Sequence, residues 1–226
     1  TRNRSSAASD VYKRQRKDRK ASKLDWGSIF DTLHLIKQEL QDNFPYKVLE
    51  VENAEADDII ASVVSYVAQA PSHYEKVLIV SGDKDFIQLQ KHSFVTQYSP
   101  TLKKFVNGID PHAYIKEHIL KGDRSDGVPN FLSPDNCFVD EMRQRPISKK
   151  KMATWIDLEP EDFCNEEMLR NYQRNRTLID LEYAPDEINN ACVQAYLNST
   201  VKDRSGLLNY FIKHRLKNHM ENIGDF

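Results

Sequence analysis

No run of about 18 apolar residues occurs in this chain of 226 residues, so no segment of it can serve as a membrane-spanning helix. Neither GxGxxG nor a GxxxxGKS or GxxxxGKT pattern is present, which removes the glycine-rich loops that cradle nucleotide phosphates. Cysteine is scarce: Cys137, Cys164 and Cys192 are too far apart for a zinc knuckle and odd in number for a disulfide framework. A reducing cytosol suits them. The opening stretch is polar and basic, so no secretory leader is expected. Because the first residue is Thr, the chain is expected not to begin at its natural start.

A hydrophobic fraction of 39% can supply a core. The net charge of -2 conceals an asymmetry: between Thr1 and Lys23, nine Lys or Arg stand against two aspartates, Asp10 and Asp18. That basic arm precedes an acidic centre. Asp25 reads as an N-cap, and Ile29, Phe30, Leu33, Ile36 and Leu40 recur at helical spacing from Trp26 to Asn43. Lys47 to Val51 reads as a strand, and the stretch after it as a helix running to Pro71. Lys76 to Ser81 reads as a buried strand of a parallel sheet, with a short helix from Asp85. The sequence FVTQYSPTLKKFVN reads as a hairpin. Beyond Pro111 the pattern turns helical, over His112 to Leu120, Lys149 to Leu158, Glu161 to Leu181, Pro185 to Leu197 and Gly206 to His219. This order predicts an α/β core followed by a mostly helical region.

Acidic residues fall in three clusters: Glu55, Asp57 and Asp58 in EADD, Asp83 and Asp85 in GDKD, and Asp123 and Asp126 in GDRSD. Each follows an element end and precedes a helix, so each could point into one pocket beyond the strand ends. A helix N-terminus favours carboxylates without any ligand, but seven acids in three groups exceed what capping asks for. Hard oxygen donors suit magnesium or manganese. An EF-hand starting at Asp83 fails, because Gln88 stands where its turn needs glycine and Phe94 where its last ligand needs glutamate. The seven histidines show no ligand spacing, and only His73 and His92 approach an acid cluster in sequence. Acids beside a basic arm suggest metal ions acting on phosphodiesters.

The stretches EADDIIA, VSGDKDFIQL and KGDRSDGVPN, in this order and with these separations, resemble the 5' nuclease family that includes flap endonucleases and the 5' nuclease domains of bacterial DNA polymerases. YKRQRKDRK, LDWGSIFDTLHLIKQEL, QYSPTLKKFV and NRTLIDLEYAPDEI extend the likeness, closest to its T-even phage ribonuclease H branch, from about Tyr12 over nearly the whole chain. The resemblance implies a parallel-sheet, PIN-like core followed by a helical domain, and a 5' to 3' exonuclease and flap endonuclease that removes primers. It implies two Mg2+ ions, or Mn2+, with Glu55, Asp57 and Asp83 at the first and Asp85, Asp123 and Asp126 at the second, and a lesser role for Asp58. Asp57, Asp83 and Asp85, with Lys13 and Arg16, form the implied catalytic set. Lys13, Arg14, Arg16, Lys17, Arg19 and Lys20 would belong to an arch over the 5' strand, and Lys149, Lys150 and Lys151 would meet duplex phosphates.

The implied organisation is a foreign or misread leader at 1–11, an arch remnant at 12–23, the α/β nuclease core at 24–110 and a helical duplex-binding domain at 111–226. Two further aspartates, carried by the family on strands ahead of the arch, are absent, so little or no nuclease activity is expected of this chain. The glycine-rich duplex-gripping turn of many relatives is missing too, which makes a potassium site doubtful. The implied partners are DNA and RNA-DNA duplexes with 5' ends or flaps. A sliding clamp or single-strand binding protein could dock on the terminal NIGDF. A monomer in the cytoplasm of a bacterial host is expected. Two other readings stay open, a non-catalytic DNA-binding module and a PIN-type RNA nuclease.

Overall fold

The computed structural model describes residues 24–69 and 76–226. In chain order they form α1 (Trp26–Asn43), α2 (Ala56–Gln69), β1 (Val77–Val80), a 3-10 segment (Asp85–Lys91), β2 (Val95–Ser99), β3 (Lys104–Val106), α3 (Pro111–Lys121), α4 (Lys149–Ile156), α5 (Pro160–Phe163), α6 (Glu166–Ile179), a second 3-10 turn (Leu181–Tyr183), α7 (Asp186–Asn198), α8 (Leu207–Lys213) and α9 (Lys217–Glu221). Among the described residues no helix is long and apolar enough to cross a membrane.

Two compact units arise. One is Val51–Val193; the other joins the described residues up to Glu50 with Gln194–Phe226. In the first, β1 pairs in parallel with β2 from Val77 opposite Val95 to Val80 opposite Tyr98, and β2 pairs antiparallel with β3. The hairpin is therefore as expected, closed by Ser99, whose hydroxyl accepts from the Leu102 amide. β1 itself differs from the buried interior strand that its apolar run predicts. Among the described residues it is paired on one side only, and Leu78 and Val80 are 54% and 62% exposed while Ile79 is buried.

The apolar face of α2, Ala61 and Val64, packs on Ile79, Phe86, Leu89 and Val95, with Leu181 closing the cluster. Burial of such side chains contributes about 1.5–3 kcal/mol each. A second cluster gathers Leu120, Phe131, Met152, Tyr172 and Ile179. Trp155 belongs to it as a core anchor, edge-on to Phe131 at 5.2 Å and stacked on Phe163 at 5.4 Å. The expected long helix from Glu161 to Leu181 is interrupted, because Cys164 is extended and Asn165 caps a new helix by accepting from the Met168 amide.

The polar face of α6 holds an irregular loop in place. Arg174, almost fully buried, donates to Asp135 at 2.7 Å and to the carbonyls of Ser133, Pro129 and Asn130. Asn175 donates to the carbonyls of Ile119 and Pro129. Arg174→Leu would remove all of these bonds at once, although Asp135 keeps Arg170, the Ser133 carbonyl keeps Asn171, that of Pro129 keeps Asn175 and that of Asn130 keeps the Ser133 amide; losing the charged donor costs about 1.5–3 kcal/mol. Chemical denaturation should show a loss of that size; a loss below about 1 kcal/mol would mean that the loop is held by packing alone.

In the second unit α1 starts where the sequence predicts, with Asp25 accepting from the Ser28 amide and hydroxyl. Its apolar stripe is only partly used: Leu33 and Ile36 are 55% and 48% exposed, while Leu40 joins Phe44, Leu207 and Phe211. Lys47 to Val51 is not a strand; no ladder pairs with it among the described residues, and Lys47 instead donates to the Tyr196 carbonyl at 2.6 Å. The predicted helix from Gly206 to His219 breaks into α8 and α9 at Arg215, which is left-handed at φ 55°. Phe226 packs into the same aromatic cluster. Its ring lies 5.2 Å from that of Phe211 and 6.0 Å from that of Phe44.

Candidate active site

All seven acids of the three clusters lie in the Val51–Val193 unit. Glu55, Asp57 and Asp58 open α2. Asp58 is 1% exposed and accepts from the Glu55 amide at 3.0 Å, the back-reaching half of a capping box. This bond gives Asp58 a structural duty at the helix start. Carboxylate oxygens of Glu55, Asp57 and Asp58 nonetheless fall within 4.8 Å of one another.

Asp83 and Asp85 follow β1, in a loop shaped from the neighbouring strand. Gln97, buried in β2, donates its side-chain amide to the carbonyls of Ser81 at 3.0 Å and Asp83 at 2.5 Å. The Asp83 carboxylate then accepts the Asp85 amide at 3.0 Å. No sequence feature singles out Gln97; only the strand register aims it there.

Asp123 and Asp126 sit in the turn after α3. Gly122, left-handed at φ 68°, ends that helix by donating to the His118 carbonyl. Asp123 accepts from the amides of Ser125 at 2.7 Å and Asp126 at 3.3 Å, and from the Ser125 hydroxyl. Its carboxylate also meets His118 Nε2 at 3.1 Å. His118 Nδ1 faces Asp85 at 3.4 Å. Donor atoms of Asp85, His118 and Asp123 all lie within 4.8 Å. A histidine therefore accompanies the acids, contrary to the expectation of an all-oxygen cluster. The usable signal was its place one helical turn before Gly122, on the helix that delivers Asp123. His92 instead lies 5.3 Å from the ring of Phe94.

The two triads include neither Asp83 nor Asp126, yet electrostatics joins the clusters. Burial pushes the Asp126 carboxyl above its ordinary range, and the charges of Asp123, Glu55, Asp83 and Asp57 push it further. Burial also drives Asp85 up to about 6, against the pull of His118 and with the push of Asp83, Asp123 and Asp126. Asp123 moves the other way, held well below the carboxylate range by its bond to His118 despite burial. For His118, burial opposes protonation, but the Asp123 hydrogen bond and the charges of Asp85, Asp123 and Asp126 outweigh it and raise its pKa. Tyr114, one turn earlier on α3, is pushed up to about 12 by burial and then by Asp85, Asp123 and Asp83.

A pH dependence follows. The carboxyl of Asp85 titrates higher in the folded chain than in the unfolded one, so its contribution to metal-free stability is complete below about pH 4 and lost as pH rises through about 6. Asp85→Asn in EDTA is expected to be the more stable protein at pH 7, by on the order of 1 kcal/mol after solvent screening, and no more stable at pH 4. Urea denaturation at the two pH values checks this; an equal difference at both would show that Asp85 is not perturbed.

Lys149, Lys150 and Lys151 are exposed in the first turn of α4, capped by Ser148, which accepts from the Lys151 amide. Beside this helix opens a pocket of about 490 Å³, with Lys121, Arg145 and Lys149 among its polar residues and Ile147 and Met152 among its apolar ones. Lys13, Arg14, Arg16, Lys17, Arg19 and Lys20 lie outside the described residues.

Two family models match this chain. One, described as 5'-3' exonuclease, N-terminal resolvase-like domain, matches residues 2–119; the other, T4 RNase H, C terminal, matches residues 110–226. The class defined by the fold and the acidic strand ends is thus a resolvase-like nuclease. The chain belongs to the 5'-3' exonuclease family, with a C-terminal region of the T4 RNase H type. It is 34% identical to the ribonuclease H of Enterobacteria phage T4 over 223 residues, 95% of this chain and 72% of that protein. It is 39% identical to the 5'-3' exonuclease of Buchnera aphidicola subsp. Schizaphis graminum over 93 residues, 37% of this chain and 30% of that one. Among solved structures, the T5 D15 protein co-crystallized with metal ions is similar at a TM-score of 0.49 and 16% identity, over 78% of this chain and 72% of that one.

Proposed function

We propose that this protein is a magnesium-dependent, structure-specific 5' to 3' nuclease that trims RNA or DNA 5' ends and flaps from duplexes, removing primers and the adjacent DNA during lagging-strand synthesis. The observation that carries this reading is the mutual reach of the acids: Glu55, Asp57, Asp83 and Asp123, from three separate stretches, all act on Asp126. Like charges brought so close, one of them driven up to about 6, are balanced by a shared cation. The donor set, carboxylate oxygens from all three clusters, fits a divalent ion of the magnesium or manganese kind. Such ions, when bound, activate the attacking water and neutralise the leaving oxygen.

The residues divide the remaining work. Glu55, Asp57 and Asp58 would hold one ion at the mouth of α2, and Asp85 and Asp123 a second at the end of α3. Asp83 and Asp126 add negative charge that Asp85 feels. The exposed lysines of α4 and the helix N-terminus behind them suit the phosphates of the uncleaved duplex, and Lys13 and Arg16 would meet the 5' strand. A phage-encoded monomer would do this in the cytoplasm of its bacterial host.

The test is cleavage of a 5'-labelled flap duplex, with magnesium and with EDTA. Because the two further aspartates implied by the resemblance are not in this sequence, weak cleavage is expected of the chain alone. The assay therefore includes a fusion that supplies two strand-borne aspartates. Magnesium-dependent release of short 5' fragments from the flap, and none from a blunt uninterrupted duplex, is the expected result. Flap binding without cutting in both forms would replace this reading with that of a DNA-binding module.

A further inference from the structure

His118 belongs to none of the sequence motifs, yet it meets two of the acidic clusters at once. Its ring is 15% exposed and reaches Asp123 through Nε2 at 3.1 Å and Asp85 through Nδ1 at 3.4 Å. Nδ1 is shut off from solvent and makes no hydrogen bond, so its surroundings at Asp85 are incomplete as they stand. The ring of Tyr114 packs edge-on against the imidazole at 5.6 Å, limiting its rotation. A histidine in the last turn of a helix ordinarily serves the helix C-terminus. Here the terminal carbonyl of residue 118 is already taken by Gly122, and the ring nitrogens point at carboxylates instead.

We propose that His118 is a positioning residue, whose imidazole spans Asp85 of the β1 loop and Asp123 of the acidic turn and sets the separation at which these two carboxylates receive a divalent cation. The metal half of this statement rests on the reading above; the bridging geometry does not. Partners that orient metal-binding carboxylates carry about 10- to 100-fold of metal affinity.

The experiment is Mn2+ binding by the whole chain, measured by the loss of the free Mn2+ electron paramagnetic resonance signal, with flap cleavage measured alongside. His118→Leu keeps the bulk and removes both contacts, and should weaken binding of one ion about 10-fold. His118→Gln retains an amide that can donate to Asp123, and should recover most of that loss. Thermal melting in EDTA identifies a variant that fails to fold; if the leucine variant does, the glutamine variant and His118→Asn carry the comparison. Unchanged Mn2+ affinity in a folded leucine variant overturns the proposal and leaves the nuclease reading standing. Mn2+ bound without flap cleavage by either the chain or the fusion that supplies the two strand-borne aspartates overturns the nuclease reading, while the leucine to glutamine contrast still decides the role of His118. No Mn2+ binding by the parent chain overturns both.

Discussion

Gly122→Ala is expected to lower the melting temperature by roughly 8–16 °C. A β-carbon at this position would lie 2.4 Å from the Val128 carbonyl oxygen and 2.5 Å from that of Pro129. Both obstacles are backbone, so no side chain can rotate away. The conformation adds its own cost, since φ 68° with ψ 178° belongs to a region that only glycine occupies freely. Strain and overpacking at about 2 kcal/mol each give about 4 kcal/mol, and each kcal/mol is worth roughly 2–4 °C in a chain of this size. Backbone that moves to relieve the contact would carry Asp123 with it, so metal affinity should fall together with stability. Differential scanning calorimetry checks the first effect; a shift under about 2 °C would show that the turn adapts.

Asp83→Asn is expected to reduce flap cleavage by roughly 10³-fold, about 4 kcal/mol of transition-state stabilisation, in whichever form of the protein cuts. The replacement is close to isosteric, and the amide oxygen can still accept the Asp85 N–H, so the loop after β1 keeps its shape. What disappears is one negative charge, and the charge of Asp83 reaches Asp85, Asp126 and Tyr114. Stability should stay within about 0.5 kcal/mol of the parent. Cleavage within threefold of the parent would remove Asp83 from the site.

The difference between these variants reflects what a linear reading can and cannot reach. The acids were legible because several carboxylates at element ends have no comfortable bland explanation, and α1, α2, the β2–β3 hairpin and α3 were legible from periodicity and capping. Where reading failed, the missing information was the partner. Lys47 to Val51 has strand composition but no ladder. The apolar run of β1 predicts burial on both faces, whereas Leu78 and Val80 remain open. The breaks at Cys164 and Arg215 interrupt patterns that stay helical in period, because a cap and a left-handed residue are decided locally.

The sequence by itself determined the kind of protein: the order of elements, the three acidic clusters and, through them, the nuclease family. Tertiary structure decided how those acids are held. His118, Gln97 and Arg174 act across about 5, 14 and 45 residues of chain at their key contacts, and nothing local marks Gln97 or Arg174. Periodicity and capping are short-range effects written along the chain, whereas the aim of a buried amide or imidazole depends on which backbone folding brings within about 3 Å.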